Sequence, residues 1–496
     1  MIEGRKSGVL CHITSIPNEY CIGDFGIGAY NFVNFLEKTE QTYWQILPLT
    51  HVGSSFSPYQ SLSLYALNPM LLSYEKLYED GYLDDEDLIG LTKETTQEIN
   101  FDRVWKEKIT IAKKACEKFV QLGHITDPVF CDFTAENSGW LNDYSLFMAL
   151  REKFQGLPWN KWPKSLADRE PSVIDDAKEN LKDEIEKYTI IQFWLYYQWQ
   201  DLKRHANEKG ITIIGDLPMY PDFDSDIVWA NKELFMLDGE NNAAFVAGVP
   251  PDYFCADGQY WGNPFYNWDY IKKTDYKFWT ERFDNIFRQV DIVRIDHFRG
   301  FSQAWRVPAN EARSAKDGKW YDVPGEELLN AIKKNHFDLP VIAEDLGDID
   351  EKVRELRDKF SLPGMSIMQF AFDSPDSLYL PHNQIKNQVY YTGTHDNDTV
   401  LGWWKSCDDR KKDYVRKYLS IDGNDISWQI IQNVFMSSAN TVIVPIQDIL
   451  CLDENYRMNI PGVVNDKNWA FRFSWNMFQD RYVNRLIEIV NLYCRK

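Results

Sequence analysis

The chain has 496 residues, of which 44% are hydrophobic and 26% charged, and its formal net charge is −21. These proportions are typical of a folded globular protein and exclude a disordered or fibrous one. Nucleic acids and lipid surfaces are themselves anionic, so the negative charge argues against both as partners. No apolar run approaches the roughly 20 residues of a membrane span.

The aromatic content, at 15%, is high for an acidic chain. Most large rings belong in a core, but an excess of Trp and Tyr also suits stacking against flat, uncharged ligands, of which sugars fit this charge best. The eight cysteines show no Cys-x-x-Cys spacing, and the first residues have no signal-peptide core. We therefore expect a cytoplasmic protein with reduced thiols.

Short apolar runs, each typical of a strand buried on both faces, recur along the chain. They lie at residues 8–13, 43–47, 211–215, 291–295, 340–343, 365–370, 389–391 and 441–445. Helical patterns lie between several of them, for example at 28–38 and 189–209. This alternation predicts a parallel sheet, and eight such strands predict a (β/α)8 barrel.

Two gaps between the predicted strands are too long for plain barrel loops. Residues 72–187, after strand two, are charged and helix-patterned, and we expect a mostly helical insertion there. Residues 221–287, after strand three, are rich in Asp, Gly, Pro and aromatics, and we expect an irregular insertion. We expect a single catalytic unit over residues 1–496, because no repeat or flexible linker divides the chain.

Acidic residues follow four of the predicted strands. Asp216, Asp296 and Glu344 come directly after apolar runs, and Asp396 follows the seventh run after a short polar stretch. The carboxyl ends of parallel strands meet at one rim of a barrel, where active sites lie. We therefore expect these carboxylates to lie close together.

Retaining glycosyl chemistry needs a nucleophilic carboxylate and a carboxylic acid about 5–5.5 Å apart. Asp296 lies between Arg294 and His297, and a neighbouring cation keeps a carboxylate ionised, as a nucleophile requires. Glu344 follows an apolar strand, and burial would raise its pKa toward that of an acid catalyst. Asp396 would hold sugar hydroxyls in the transition state.

These residues also have other interpretations. A single acidic residue after a strand is more often a helix cap or a surface ion-pair partner, but four at one rim favour a site. His297 and His395, with Asp396 and Asp398, would be an alternative set of metal ligands. The chain has no His-x-His or His-x-x-x-His pair, so we expect no metal.

A series of short motifs spans almost the whole chain. They lie at residues 8–17, 22–26, 44–49, 57–60, 215–218, 247–254, 258–264, 294–300, 343–347, 393–397, 457–462 and 468–469. In this order and spacing they resemble the 4-α-glucanotransferases of glycoside hydrolase family 77, also called amylomaltases or disproportionating enzymes.

The resemblance implies the same three roles: Asp296 as nucleophile, Glu344 as general acid/base and Asp396 as transition-state stabiliser. It implies no cofactor and no β-sandwich after the barrel. Together with Asp216 from the rim, we expect substrate contacts from residues at the matching positions, namely Tyr59, Trp261, Arg294, His297, Asp373 and His395.

We expect a retaining 4-α-glucanotransferase that moves segments of maltooligosaccharide or starch to the 4-hydroxyl of another glucan or of glucose. An α-amylase-like hydrolase with the same three acids is the nearest alternative. A catalytically silent glucan-binding protein and a metal-dependent barrel hydrolase are the others.

Residues 247–263 are similar to the mobile loop that covers the active site in this family. We expect them to form a lid that holds the acceptor and excludes water, with glycines such as Gly248 acting as hinges. The aromatic residues expected to cover the glucan are Tyr253, Phe254, Tyr260 and Trp261.

Overall fold

The computed structural model describes residues 4–89, 91, 93, 98–251, 256–309, 313–347 and 349–496. In these residues the strands are β1 (Lys6–Leu10), β2 (Tyr43–Gln45), β3 (Thr212–Leu217), β4 (Phe245–Val249), β5 (Gln259–Pro264), β6 (Ile292–Ile295), β7 (Gln303–Pro308), β8 (Lys319–Asp322), β9 (Val341–Ala343), β10 (Gly364–Ile367), β11 (Gln388–Tyr391) and β12 (Thr441–Pro445).

The α-helices of the described residues begin with α1 (Ile27–Lys38), α2 (Tyr74–Glu79), α3 (Asp85–Leu88), α4 (Phe101–Gln121), α5 (Pro128–Glu136), α6 (Ser138–Lys153), α7 (Lys164–Ala167), α8 (Pro171–Asn180), α9 (Lys182–Glu208) and α10 (Asp226–Ala230). They continue with α11 (Trp268–Lys273), α12 (Lys277–Gln289), α13 (Gly325–Asn335), α14 (Glu351–Lys359), α15 (Val400–Ser406), α16 (Asp409–Leu419), α17 (Ile426–Met436), α18 (Ile446–Ile449) and α19 (Asp480–Leu492).

Eight strands form one parallel sheet in the order β10-β11-β12-β1-β2-β3-β6-β9. Where the two ends of this order meet, the Ala343 N–H donates to the carbonyl of Pro363 over 2.9 Å, so the sheet curls into a nearly closed barrel. Each of the eight predicted apolar runs contributes one of these strands, and the predicted (β/α)8 barrel is confirmed.

The strand residues fill the barrel interior and pack against the surrounding helices. All five residues of β12 and all four of β10 are buried, as parallel strands covered on both faces require. The run at 365–370 is shorter as a strand than predicted, because Met368–Phe370 turns into a 3-10 helix.

The first insertion, between β2 and β3, contains helices α2–α9. Its longest helix is α9, with 27 residues, and α4 and α6 pack against it. The C-terminal end of α9 leads into β3. Residues 446–496, all described, contain helices and loops but no strand.

The second insertion, between β3 and β6, was expected to be irregular, and this is wrong in part. It contains helices α10–α12 and the antiparallel pair β4–β5. That pair joins β7 and β8, which lie after β6, in a four-stranded sheet of order β5-β4-β7-β8. The sequence analysis missed β7 and β8, because a short, half-buried antiparallel strand leaves no continuous apolar run.

Among the described residues, no helix has both the length and the hydrophobicity needed to cross a bilayer.

Candidate active site

Asp296 lies at the end of β6 above a buried arginine. Arg294 is two residues earlier, and alternate residues of a strand share a face, so both side chains point to the same side. The Arg294 Nη2 group donates to Asp296 Oδ1 over 2.9 Å. The Arg294 side chain is 5% exposed and that of Asp296 32%. A buried guanidinium thus holds a carboxylate that is open to the cleft.

Asp216 lies within strand β3 and not at the rim after the strand, where it was expected. The predicted strand ends at 215, but β3 continues to Leu217 and pairs Asp216 with Arg294 on β6. The Asp216 side chain is 0% exposed, and Arg294 Nη1 donates to both of its oxygens over 2.8 and 2.6 Å. Asp216 thus positions Arg294 from below the rim, and a direct contact with substrate stays a prediction.

Glu344, directly after β9, is held by two backbone amides. The N–H of His297 donates to Oε2 over 2.8 Å and the N–H of Leu346 donates to Oε1 over 3.0 Å. Burial raises the pKa of Glu344 to about 7, with the nearby Asp296 charge adding to the rise and Arg294 and the amides opposing it. An acid with this pKa is protonated in half of the molecules at neutral pH.

His297 connects the two strand ends. Its backbone has a φ of 53°, the left-handed region that a non-glycine residue rarely adopts, and the N–H of this same residue binds Glu344. Burial lowers the pKa of the His297 ring to about 4, so the ring is neutral near pH 7. The edge of the His297 ring meets Trp261 of β5, with ring centres 4.9 Å apart at 83°.

Asp396, after β11, is supported from a different part of the chain. Asn459 Nδ2 donates to Asp396 Oδ1 over 2.6 Å, and Arg457 Nη2 donates to the Asp396 carbonyl over 2.5 Å. Arg457 Nε also donates to the carbonyl of Asn459 over 2.7 Å, which links the two supports. The Asp396 side chain is 45% exposed, and His395 Nε2 lies 3.4 Å from its Oδ1.

Aromatic rings form one wall beside these carboxylates. The ring of Tyr59 stacks on His395 with centres 5.1 Å apart at 14°, and Trp469 lies 5.8 Å from Tyr59. The Tyr59 hydroxyl donates to Asp216 Oδ2 over 2.7 Å. The wall is thereby tied to the buried Asp216–Arg294 pair, and Tyr59 presents only part of its ring to the cleft.

Comparison with known proteins identifies the family. A family model described as 4-alpha-glucanotransferase (glycoside hydrolase family 77) matches residues 11–477. The chain is 43% identical over 100% of its length to a 4-alpha-glucanotransferase from Synechocystis, covering 99% of that protein. The chain belongs to the 4-α-glucanotransferase family.

Two further relatives of this family agree. A 4-alpha-glucanotransferase from Thermus thermophilus is 40% identical over 94% of the chain and 94% of that protein. The structure of an amylomaltase from Streptococcus agalactiae in complex with acarbose superimposes with a TM-score of 0.96, at 37% identity and 99% coverage of both chains. The expected family, enzyme class and glucan-transfer activity are thereby confirmed: the chain is an α-glucan-transferring enzyme.

In this 4-α-glucanotransferase, Asp373 stands apart from the other expected contacts. It follows β10 at the same rim, but its side chain is 65% exposed and its described partner is Lys411, 2.5 Å away. The other expected residues form direct contacts within the site. Arg294 binds Asp296, and Trp261 meets His297, whose N–H binds Glu344. Tyr59 binds Asp216 and stacks on His395, which lies beside Asp396. All of these residues stay predictions as substrate contacts, and Asp373 is the one that the geometry supports least.

The expected lid, residues 247–263, spans β4, a connection and β5. Tyr253 and Phe254 lie outside the described residues. Gly248 is not the hinge that was expected: it lies within β4, where a Cβ would come within 2.3 Å of the Gln259 carbonyl oxygen. Glycine is required there for the close approach of β4 and β5.

Arg457 and Asn459 are the functional residues that the sequence analysis missed. Both belong to the motif at 457–462 that supports the family resemblance, but no role was assigned to them. The signal available was their position after the last strand, where a returning segment can reach the rim. No group of three or more His, Cys, Asp or Glu side chains suited to a metal occurs in the described residues.

Proposed function

We propose that this enzyme is a retaining 4-α-glucanotransferase in which Asp296 is the nucleophile and Glu344 the general acid/base. One observation carries this assignment. Asp296 is held on a buried guanidinium, while burial raises the pKa of the adjacent Glu344 to about 7. Two carboxyl groups in opposite environments suit an anion and an acid.

In the first step the Asp296 carboxylate attacks the anomeric carbon of the donor glucan. The bond from that carbon to the leaving 4-oxygen breaks, and Glu344 gives its proton to this oxygen. In the second step the Glu344 carboxylate takes the proton from the 4-hydroxyl of the acceptor. The acceptor oxygen then displaces Asp296 from the anomeric carbon, and the configuration is retained.

Asp396 would stabilise the transition state. Its side chain faces the cleft and is oriented by Asn459, so it can accept hydrogen bonds from sugar hydroxyls that strengthen as positive charge develops on the ring. Trp261, His297, His395 and Tyr59 would line the same sugar site. Trp261 contacts His297 next to Asp296, and Tyr59 stacks on His395 beside Asp396.

The expected substrates are maltooligosaccharides and starch chains, with another glucan or glucose as the acceptor and no nucleic acid. The cysteines of the described residues are all free, which supports a reducing, cytoplasmic compartment. We further propose that residues 247–263 act as a lid over this site, because Trp261 of β5 contacts His297 beside Asp296.

Incubation with maltotriose and analysis of the product ladder tests this function. A transferase yields glucose together with maltotetraose and longer chains, whereas an α-amylase-like hydrolase yields only shorter products. Products confined to glucose and maltose would replace transfer by hydrolysis as the main reaction. The variant Asp296→Asn, run in parallel, should give neither the longer nor the shorter products.

A further inference from the structure

A large cavity lies on the outside of the barrel, away from the three catalytic carboxylates. It has a volume of about 410 Å³ and is lined by residues of α5 and α6, of α10, and of α11 and α12. This volume falls within the ~300–1,000 Å³ range of small-molecule sites. None of the residues assigned to the catalytic site lines it.

One side of the cavity carries a pair of aromatic rings. Tyr65 and Trp140 stack with ring centres 6.2 Å apart at an angle of 22°. The Trp140 ring is half-buried, and its indole N–H donates to Asn137 Oδ1 over 3.1 Å, which fixes its orientation. A fixed, partly exposed indole face is a platform on which an uncharged ring can stack.

Asp226, at the start of α10, supplies a buried polar group to the same cavity. It is 3% exposed and lines the cavity. Its Oδ2 accepts a hydrogen bond from the Ser63 hydroxyl over 2.8 Å. The backbone N–H of Ile227 also faces this carboxyl, but within the described residues Oδ1 accepts no hydrogen bond of good geometry. A buried oxygen without a partner is costly, so this atom is suited to a ligand hydroxyl.

The protonation of Asp226 points to the same kind of ligand. Burial raises its pKa to about 8, so the group is mostly an uncharged acid at neutral pH. It can then either donate to or accept from a hydroxyl. Asn137 lines the cavity as well, but its amide is engaged within the protein: Nδ2 donates to the Phe133 carbonyl and Oδ1 accepts from Trp140.

Most of the charged side chains around the cavity are already paired. Arg169 binds Asp143 at 2.5 Å, His336 binds Asp284 at 2.6 Å, and Lys277 lies 3.6 Å from Glu281. The remaining charged groups of the lining, which are exposed at the surface, are Glu136, Glu233 and Arg288. Acidic side chains outnumber basic ones around the cavity, so an anionic ligand is disfavoured.

We propose that this cavity is a second carbohydrate site, in which a neutral glucose unit of a glucan stacks on Trp140 and bonds to Asp226. The site is separate from the catalytic cleft. It would hold part of a long glucan, or a second sugar molecule, on the flank of the barrel.

Hydrogen exchange of the intact protein with glucose as the probe tests this proposal. Glucose alone contains no glycosidic bond for the enzyme to cleave, so binding is measured without turnover. In the wild type, saturating glucose should slow exchange in peptides that cover α5–α6 and α10, besides any protection at the catalytic cleft.

Two variants and a control locate the effect. Trp140→Ala and Asp226→Asn should weaken the sugar dependence of this protection, by about tenfold and about threefold respectively, while protection at the cleft keeps its wild-type midpoint. Phe337→Ala removes an aromatic ring that is 81% exposed and does not line the cavity, and it should change neither.

The wild-type result is decisive even if Trp140→Ala disturbs folding. Absence of glucose-dependent protection at α5–α6 and α10 in the wild type overturns the proposal. Protection by a small organic amine without protection by glucose also overturns it, because the cavity would then be a cation site.

Discussion

The two halves of the active site are supported in different ways. Asp296 and Glu344 follow neighbouring strands, and their supports come from the barrel itself: a buried Asp216–Arg294 pair and the N–H groups of two loop residues. Asp396 takes its support from a segment that returns to the rim only after the last strand. The proposed nucleophile and acid/base are thus fixed by the core of the fold, whereas the proposed stabilising group depends on a surface segment that can be changed independently.

The largest expected effect on the transfer rate comes from a change at Asp296, whose support is the barrel itself. Asp296→Asn should reduce transfer by at least ~10³-fold, about 4 kcal/mol of barrier, because an amide cannot form the glycosyl ester. The unfolding midpoint should change little, since Arg294 keeps Asp216 as its buried partner. Initial rates on maltotriose measure this, and an activity above a tenth of wild type would remove Asp296 from its role.

Glu344→Gln tests whether Glu344 supplies the proton to the leaving group, by comparing two donors that need this proton to different degrees. With maltooligosaccharides the loss should be roughly 10²–10⁴-fold, the range of general acid–base catalysis. With a glycosyl fluoride donor, the initial release of fluoride should be nearly normal, because fluoride leaves with little protonation. Equal losses with the two donors would contradict the assignment.

Asp216→Asn tests the buried support of the barrel half. Removing one partner of a buried ion pair costs about 3–5 kcal/mol, so the unfolding midpoint should fall clearly. Tyr59→Phe is the matched control: it removes only the hydroxyl that donates to Asp216, at a cost of about 1–3 kcal/mol. If Asp216→Asn lowered the rate without lowering the midpoint, the deep position assigned to Asp216 would be incorrect.

Asn459→Ala tests the support of the other half. Loss of a hydrogen bond to a charged group costs about 1.5–3 kcal/mol, which predicts a fall in kcat/KM of roughly 10–150-fold with little change in the unfolding midpoint. Asn468→Ala is the control in the same segment, because Asn468 bonds the backbone of Ile460 and Val463 rather than Asp396. Equal effects of the two variants would mean that the segment acts only through its overall fold.

The smallest effect is a pH dependence. Glu344 must be protonated in the first step, and its pKa is raised to about 7, so the acid form is present below this pH and is lost above it. For oligosaccharide donors, kcat/KM should fall about tenfold per pH unit above pH ~7, and this limb should be absent for a glycosyl fluoride. A fall that begins near the ordinary pKa of a glutamate would show that burial does not raise it.

The barrel could be predicted because its strands are buried on both faces. Apolar runs mark such strands, and the polar residues after them mark the rim, so the sequence alone predicts Asp296, Glu344 and Asp396 at strand ends. Whether a residue lies inside a strand or just beyond its end is harder to predict. A strand that continues two residues further moves Asp216 from the rim to the layer below, and composition at 214–218 does not distinguish these cases.

Contacts between distant parts of the chain could not be predicted. The pairing of β4 with β7 joins segments on either side of β6, and the hydrogen bond from Asn459 to Asp396 crosses 63 positions of the sequence. Neither leaves a local pattern, since both depend on where the barrel brings the segments. The cavity on the outside of the barrel has the same origin, because Tyr65, Trp140 and Asp226 come from the connection after β2, from α6 and from α10.

The most direct test of the account is to trap the covalent intermediate. The Glu344→Gln variant, given a glycosyl fluoride, should form the ester on Asp296 but lack the base that activates the acceptor in the second step. Mass spectrometry of the digested protein should find the sugar on the peptide that contains Asp296. A sugar on the peptide containing Asp396, or a burst of fluoride release with no labelled peptide, would contradict the central claim.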